Sequence, residues 1–356
     1  MDWRSTMITR EQAIAGSPED KAAYMKATCV PHRNLDAVMH EVRSRMTAGA
    51  GLSITLVVGP PGVGKTTFGR KQLQSLLSRY PIQLQEKRHI IPAVMSEVDA
   101  ADRGEFNFNL LYNRLCADLM APSSLDGPVL LENVSEPVDP IRNSRLMFER
   151  ALRRREVKHL ILDEAVHFTN SLTDPLQYGN LLKSLSNRAG FNLLLLGAYG
   201  CEQLVLASAQ LARRIGVVHY PRYFQTDEDF TEYCTFVKSL LAHLPYGFEI
   251  DIENRLEYLF AGTFGLPGAT VDVLTGAAGR CWESTRKVWS DACLLKSMPS
   301  KEAQRKIARD TMVGEAEVQP FLQMEREHDY ATEQDIRNVL LLEERTRRNI
   351  NGRAHG

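Results

Sequence analysis

Residues Gly59–Thr66 read GPPGVGKT and fit the pattern G-x-x-x-x-G-K-[ST] without a mismatch. Glycines at these positions let successive backbone N–H groups turn inward onto phosphate oxygens. The lysine brings a point charge to the β- and γ-phosphates, and the hydroxyl after it can ligate magnesium. Gly59, Pro60, Pro61, Gly62, Val63, Gly64, Lys65, Thr66 and Thr67 are therefore expected to cradle the phosphates of ATP, with Thr66 on Mg²⁺. A glycine-rich turn can match by chance, so the flanks decide. SITLVVG (53–59) before it is a short β-branched run, and TTFGRKQLQSLLSRY (66–80) after it is helical and stops at Pro81. Strand, loop and helix is the required context, and the helix N-terminus adds its dipole to the same anion.

A second run, HLILDEA (159–165), ends an apolar stretch on two acids. An acid at the end of a later strand completes the magnesium shell through water in P-loop ATPases, which assigns Asp163. Glu164 beside it can polarise the attacking water. Two solvated acids opening a loop is the competing reading, and the phosphate loop upstream argues against it. His167 follows in DEAVHF; with no second ligand at helical spacing, it reads as a hydrogen-bonded structural histidine.

Several elements must position these groups. PHRNLDAVMHEVRSRMTA (31–48) carries Leu35, Val38 and Val42 near helical spacing. Further strands are expected in HIIPAVMSEV (89–98), FNLLLLGAYG (191–200) and IGVVHYPRY (215–223). FNFNLLYNRLCADLM (106–120) and RNSRLMFERALRRREV (142–157) read as helices, the latter packing through Leu146, Phe148, Ala151 and Leu152. Another helix is expected around 176–188. Alternating strands and helices imply parallel βαβ units. Lys65 and Asp163 stand 98 residues apart, more than one β-α-β-α-β passage needs, so an insertion is expected between them, with 99–141 the candidate. From about 226 the pattern turns helical. The organisation predicted is an N-terminal extension (1–30), an ATPase core (31–225), a helical lid with further helices (226–345) and a tail (346–356).

Composition adds bounds. The chain is 44% hydrophobic and 24% charged with a net charge of −1, a globular balance without global attraction to nucleic acid. Six cysteines lack C-x-x-C spacing, which argues against a zinc site or a disulfide scaffold. No apolar run reaches the roughly 20 residues of a membrane helix, and the N-terminus has no apolar signal core. A soluble cytoplasmic protein without a membrane partner is expected.

The stretches GPPGVGKTT, FNFNLLYNRLCADLMAP, FERALRRREVKHLILDEAVHF and LARRIGVVHYPRY together resemble an AAA+ ATPase, and within that class the TniB/TnsC group of transposition regulators. The resemblance covers about residues 30–280. It implies an α/β fold, a P-loop AAA+ core with a parallel sheet flanked by helices and a C-terminal helical lid. It also implies an oligomeric ATPase that assembles in its ATP state as a ring or helical filament on duplex DNA, linking a TniQ/TnsD-like target-selection protein to a transposase. Arg213 or Arg214 of LARRI would be the arginine finger, Arg214 preferred, reaching a neighbouring subunit's γ-phosphate. The pair could also simply cap a helix C-terminus. Two departures stand out: Ala198 and Tyr199 occupy the place of a polar sensor, and GLPGAT (265–270) lacks the lid's sensor arginine. For DNA the candidates are Arg103, Arg142, Arg145 and Arg150, with Lys87 and Arg88, by phosphate contact. An AAA+ ATPase with a protein client (remodelling, secretion or a signalling switch) is the alternative.

Overall fold

The computed structural model describes residues 8–46, 54–81, 89–100, 106–120, 140–169, 178, 182 and 192–322. Residues 1–321 group into one compact unit, and 322–356 into a second that lies outside the described residues apart from Leu322.

Five strands form one sheet: β1 (Ile54–Val58), β2 (Ala93–Glu97), β3 (His159–Asp163), β4 (Asn192–Gly197) and β5 (Ile215–His219), in the order β2-β3-β4-β1-β5. Every pairing is parallel. β1 and β3 are buried at every position, as expected of strands covered on both faces, and this is why they read as unbroken apolar runs. The parallel arrangement brings the carboxyl ends of β1, β3 and β4 to one edge, where open α/β sheets bind ligands.

Helix α3 (Arg33–Arg45) lays Leu35, Val38, Met39 and Val42 into the same core as Phe68 and Leu76 of α4 (Lys65–Leu77). Between β2 and β3, α5 (Phe108–Met120) and α6 (Pro140–Arg154) pack on one another and occupy part of the long interval between Lys65 and Asp163. Phe148 and Leu152 of α6 are buried as expected, but Leu146 is 40% exposed. Residues two apart on a helix do not share a face, so Leu146 cannot point where Phe148 does. The helix expected around 176–188 lies outside the described residues apart from Tyr178 and Leu182, as does the end of the expected helical stretch, 323–345.

The region after β5 is helical: α8 (Asp227–His243), α9 (Leu256–Thr263), α10 (Pro267–Glu283), α11 (Asp291–Ser297) and α12 (Lys301–Val318), with the one-turn α7 (Ala209–Ala212) before β5. It has its own core of Tyr233, Phe236, Leu240, Leu259 and Leu274, in keeping with an AAA+ lid. Thr226 caps α8 by accepting the Asp229 N–H, with three acids in the first turn. At the other end of the chain, α1 (Arg10–Ala15) and α2 (Pro18–Ala27) each open on a capping box. Lys21 Nζ closes the end of α1 by donating to the carbonyls of Ala13, Ile14 and Gly16 at 2.6, 3.0 and 3.0 Å. Val30 then buries itself in the lid core, so the polar composition of this segment conceals a packed element.

Candidate functional site

The phosphate loop leaves β1 at Gly59, whose N–H donates to the Gly197 carbonyl of β4 at 3.3 Å. A Cβ on Gly59 would stand 2.4 Å from the Tyr220 carbonyl oxygen, so the loop and the end of β5 approach at a distance only glycine permits. Gly62 and Gly64 hold φ of +79° and +105°, the left-handed region that favours glycine. Gly64 thereby becomes the cap of α4, and the first N–H groups of that helix have no partner inside it. The buried Lys65 donates from Nζ to the carbonyls of Gly59 and Pro60, both at 2.9 Å. Burial lowers its pKa, and the nearby Glu164, Cys201 and Asp163 act against that shift. Two carbonyl dipoles are weaker partners than an anion for a buried ammonium, which leaves a phosphate as the better acceptor.

Asp163 ends β3 beside Glu97 of β2, is 4% exposed and accepts the Glu164 N–H on Oδ1 at 2.9 Å. Glu164 follows at φ +56°, a left-handed residue that is not glycine. That turn swings its side chain into a cavity of about 600 Å³ lined also by Pro61–Thr67, within the size range of ligand clefts. Thr66 and Glu164 line this cavity, and the buried Asp163 adjoins Glu164 at the end of β3; hard oxygens of this kind are donors suited to magnesium. His167 lies in the 3₁₀ turn Ala165–Phe168, with its backbone N–H on the Glu164 carbonyl at 3.1 Å.

Two departures from the AAA+ pattern are explained by packing. After β4, Ala198 lines the cavity, whereas the Tyr199 hydroxyl pairs with His219 Nε2 at 2.9 Å. Tyr199 is held there by Gly314 of α12, where a Cβ would meet the tyrosine ring at 2.1 Å. The GLPGAT stretch seats the start of α10 directly on the phosphate loop: Ala269 N–H donates to the Gly62 carbonyl at 3.1 Å. A Cβ on Gly268 would meet the same oxygen at 2.5 Å. This close approach was not anticipated; its signal was the unusual G-L-P-G that opens a helix.

Arg213 and Arg214 lie between α7 and β5, and the Arg214 carbonyl accepts the Ile54 N–H at the start of β1. The phosphate loop leaves the opposite end of these strands. A five-residue strand spans about 16 Å at roughly 3.3 Å per residue, more than a side chain covers. Neither arginine serves the phosphate site of its own copy. Of the DNA candidates, Arg150 is exposed on α6, and Arg145 is tied to Glu149 of the same helix at 3.0 Å. The Arg142 side chain, Arg103, Lys87 and Arg88 lie outside the described residues.

The wall facing the phosphate loop was missed by sequence reasoning. It comes from the end of α2 (Met25, Lys26), Thr28, Val30 and His32, and one face of α10 (Val271, Asp272, Thr275, Gly276). His32 bridges core and lid, with Nε2 and Nδ1 each 3.2 Å from a tyrosine hydroxyl, Tyr220 and Tyr223. Burial pushes its pKa down to about 4, so the ring is neutral, donating to one tyrosine and accepting from the other. Partners nearly two hundred residues apart leave no local signal. Another cleft, of about 660 Å³ beside α8, is lined by Glu249, Asp251 and Glu253 and has no phosphate-binding loop.

Residues 50–205 match the family model described as "AAA domain". No curated protein matches the chain. Among solved structures, the Aeropyrum pernix ORC1 protein in complex with DNA is similar at 14% identity, covering 81% of this chain and 68% of that one with a TM-score of 0.53. The ORC2 protein of the same organism, in ADPNP and ADP complexes, is similar at 16% identity over 76% and 69% of the two chains, TM-score 0.50. At these identities the likeness concerns the fold. Residues 50–205 of the chain carry an AAA domain, and the parallel five-stranded sheet, phosphate loop and helical C-terminal region form the AAA+ P-loop fold.

Proposed function

We propose that this protein is an ATP-dependent, DNA-binding AAA+ regulator of transposition, which oligomerises on duplex target DNA and links a TniQ/TnsD-like target-selection protein to a transposase. The observation that carries the assembly part is the placement of Arg213 and Arg214 at the opposite end of β5 from the phosphate loop. One copy has the cradle, the lysine and the acids, but the finger arginine its γ-phosphate needs is beyond the reach of its own Arg213 and Arg214. A neighbour's pair can supply it, so catalysis and assembly become one event. In that scheme the loop N–H groups and Lys65 hold the triphosphate, and Glu164 orients water and takes its proton. The incoming Arg214, with Arg213 beside it, offsets the charge on the leaving oxygens. Thr66 and Asp163 would hold Mg²⁺, which neutralises phosphate charge when bound. An alanine at the sensor position and a lid without a sensor arginine favour slow turnover, with ATP acting as an assembly switch.

The transposition part rests on the TniB/TnsC resemblance of the sequence, and the DNA part also on the fold relative solved with DNA. Net charge of −1 and the Arg145–Glu149 pair favour the second reading, an AAA+ ATPase with a protein client in place of DNA. Imaging of the purified chain with a non-hydrolysable ATP analogue, with and without duplex DNA, separates them. Rings or filaments that require both ligands support the transposition reading. Oligomers indifferent to DNA move the function to a protein client.

A further inference from the structure

We propose that Asp272 and Thr275 of α10 read the nucleoside of the bound nucleotide, Asp272 through the ribose hydroxyls and Thr275 through the edge of the base. This rests on the nucleotide reading of the cavity. The phosphates are fixed at Pro61–Thr67, and the Ala269–Gly62 hydrogen bond pins the start of α10 to that end. From there the helix runs along the cavity wall at about 1.5 Å per residue. Asp272 stands roughly 4–5 Å and Thr275 roughly 9 Å beyond Ala269 along the axis, matching the order of phosphate, ribose and base. Three residues apart, they share one helix face, and both line the cavity.

Neither polar group is satisfied within the protein. The Thr275 hydroxyl is buried without a hydrogen-bond partner. Asp272 has no hydrogen bond or ion pair among the described residues, and partial desolvation raises its carboxyl above the usual range with no opposing cation. A carboxylate only accepts hydrogen bonds, so it calls for donors. Beside a triphosphate it would repel, whereas beside a ribose it finds two hydroxyl donors. A threonine hydroxyl can donate or accept, as the edge of a base requires. Val30, Val271 and Phe236 add apolar walls to the same cavity for the base plane. An unpaired buried hydroxyl such as that of Thr275 is costly, and a ligand in the cavity gives it a partner, while the exposed Asp272 carboxylate on the same stripe is open to the same ligand. The lid, which has no sensor arginine for the γ-phosphate, then senses nucleotide through its sugar and base.

The test is titration calorimetry of the full chain in Mg²⁺ with ATP, 2′-deoxyATP and 3′-deoxyATP. Wild type should bind at least one deoxy analogue about tenfold more weakly, the loss of one hydrogen bond to a charged group. Asp272→Ala should bind all three within about twofold of one another, and should melt with wild type without nucleotide, because the carboxylate is exposed and makes no contact that holds the fold. Thr275→Val should weaken all three equally and keep the sugar preference. Equal binding of the three by wild type, or a sugar preference that survives in Asp272→Ala, overturns the proposal while leaving ATP binding intact. Failure of wild type to bind any of the triphosphates would overturn the nucleotide reading itself.

Discussion

Glu164 offers a test in which chemistry and backbone strain pull apart. It holds φ +56° and ψ 37° at the mouth of the phosphate loop. A left-handed conformation costs a residue with a Cβ about 1–2 kcal/mol. Glycine escapes that cost but loses roughly 0.5–1 kcal/mol through the greater freedom of the unfolded chain. Glu164→Gly should therefore stabilise the fold by about 0.5–1 kcal/mol, a rise of roughly 1–4 °C in Tm. Glu164→Gln keeps the Cβ and should melt with wild type. Both variants lose the group that takes the proton from water, so turnover should fall by about 10²–10⁴-fold while ATP still binds. The assays are differential scanning calorimetry without nucleotide and steady-state phosphate release. A Glu164→Gly chain that melts below wild type would refute the strain argument. Either variant hydrolysing ATP at near the wild-type rate would refute the role given to Glu164.

Gly59→Ala should destabilise the chain by roughly 1–3 kcal/mol and abolish ATP binding, because its Cβ meets a backbone carbonyl at 2.4 Å; calorimetry reads both. Arg222 holds Glu315 of α12 through Nε–Oε1 at 2.8 Å and Nη2–Oε2 at 3.2 Å, with side chains 9% and 15% exposed. Glu315→Gln should cost about 1.5–3 kcal/mol in urea denaturation, and adding Arg222→Met should recover part of it, since no buried charge is then left unpaired. Burial lowers His32, His159 and His219 from 6.5 to about 4. The unfolded chain binds protons that the folded chain refuses, so this stability is complete above pH 6.5. It falls as the pH drops towards 4, by about 1.4 kcal/mol per unit for each histidine. His32→Asn should flatten that slope in a Tm–pH series.

The sheet and phosphate loop could be read from the sequence because each strand is a short, mostly buried apolar run, closed in β1, β3 and β4 by glycine or acid, and every such run became a strand. The acids Asp163 and Glu164 came from the same local logic. What escaped depended on contacts distant in sequence. Helix α12 falls in the stretch expected to be helical but was not delimited, since its buried face is Thr311, Gly314 and Val318, small or polar residues that give no apolar period within KEAQRKIARDTMVGEAEV. The His32–Tyr220–Tyr223 bridge and the face of α10 across from the phosphate loop are assembled from segments hundreds of residues apart. Leu146 shows the opposite error, an apolar residue assigned to the core although its helical phase faces water. No helix among the described residues is long and apolar enough to cross a membrane.

The central claim, an active site completed by a second copy, is tested most directly by subunit mixing. Lys65→Ala should lose ATP binding, and the double variant Arg213→Ala/Arg214→Ala should bind ATP without hydrolysing it. Each alone should be inactive. Mixed in equal amounts under assembling conditions, a Lys65→Ala copy can present its arginines to the intact phosphate site of the other variant, and ATPase activity should return to a substantial fraction of wild type. Mixtures that co-assemble yet stay as inactive as either variant alone would contradict the account.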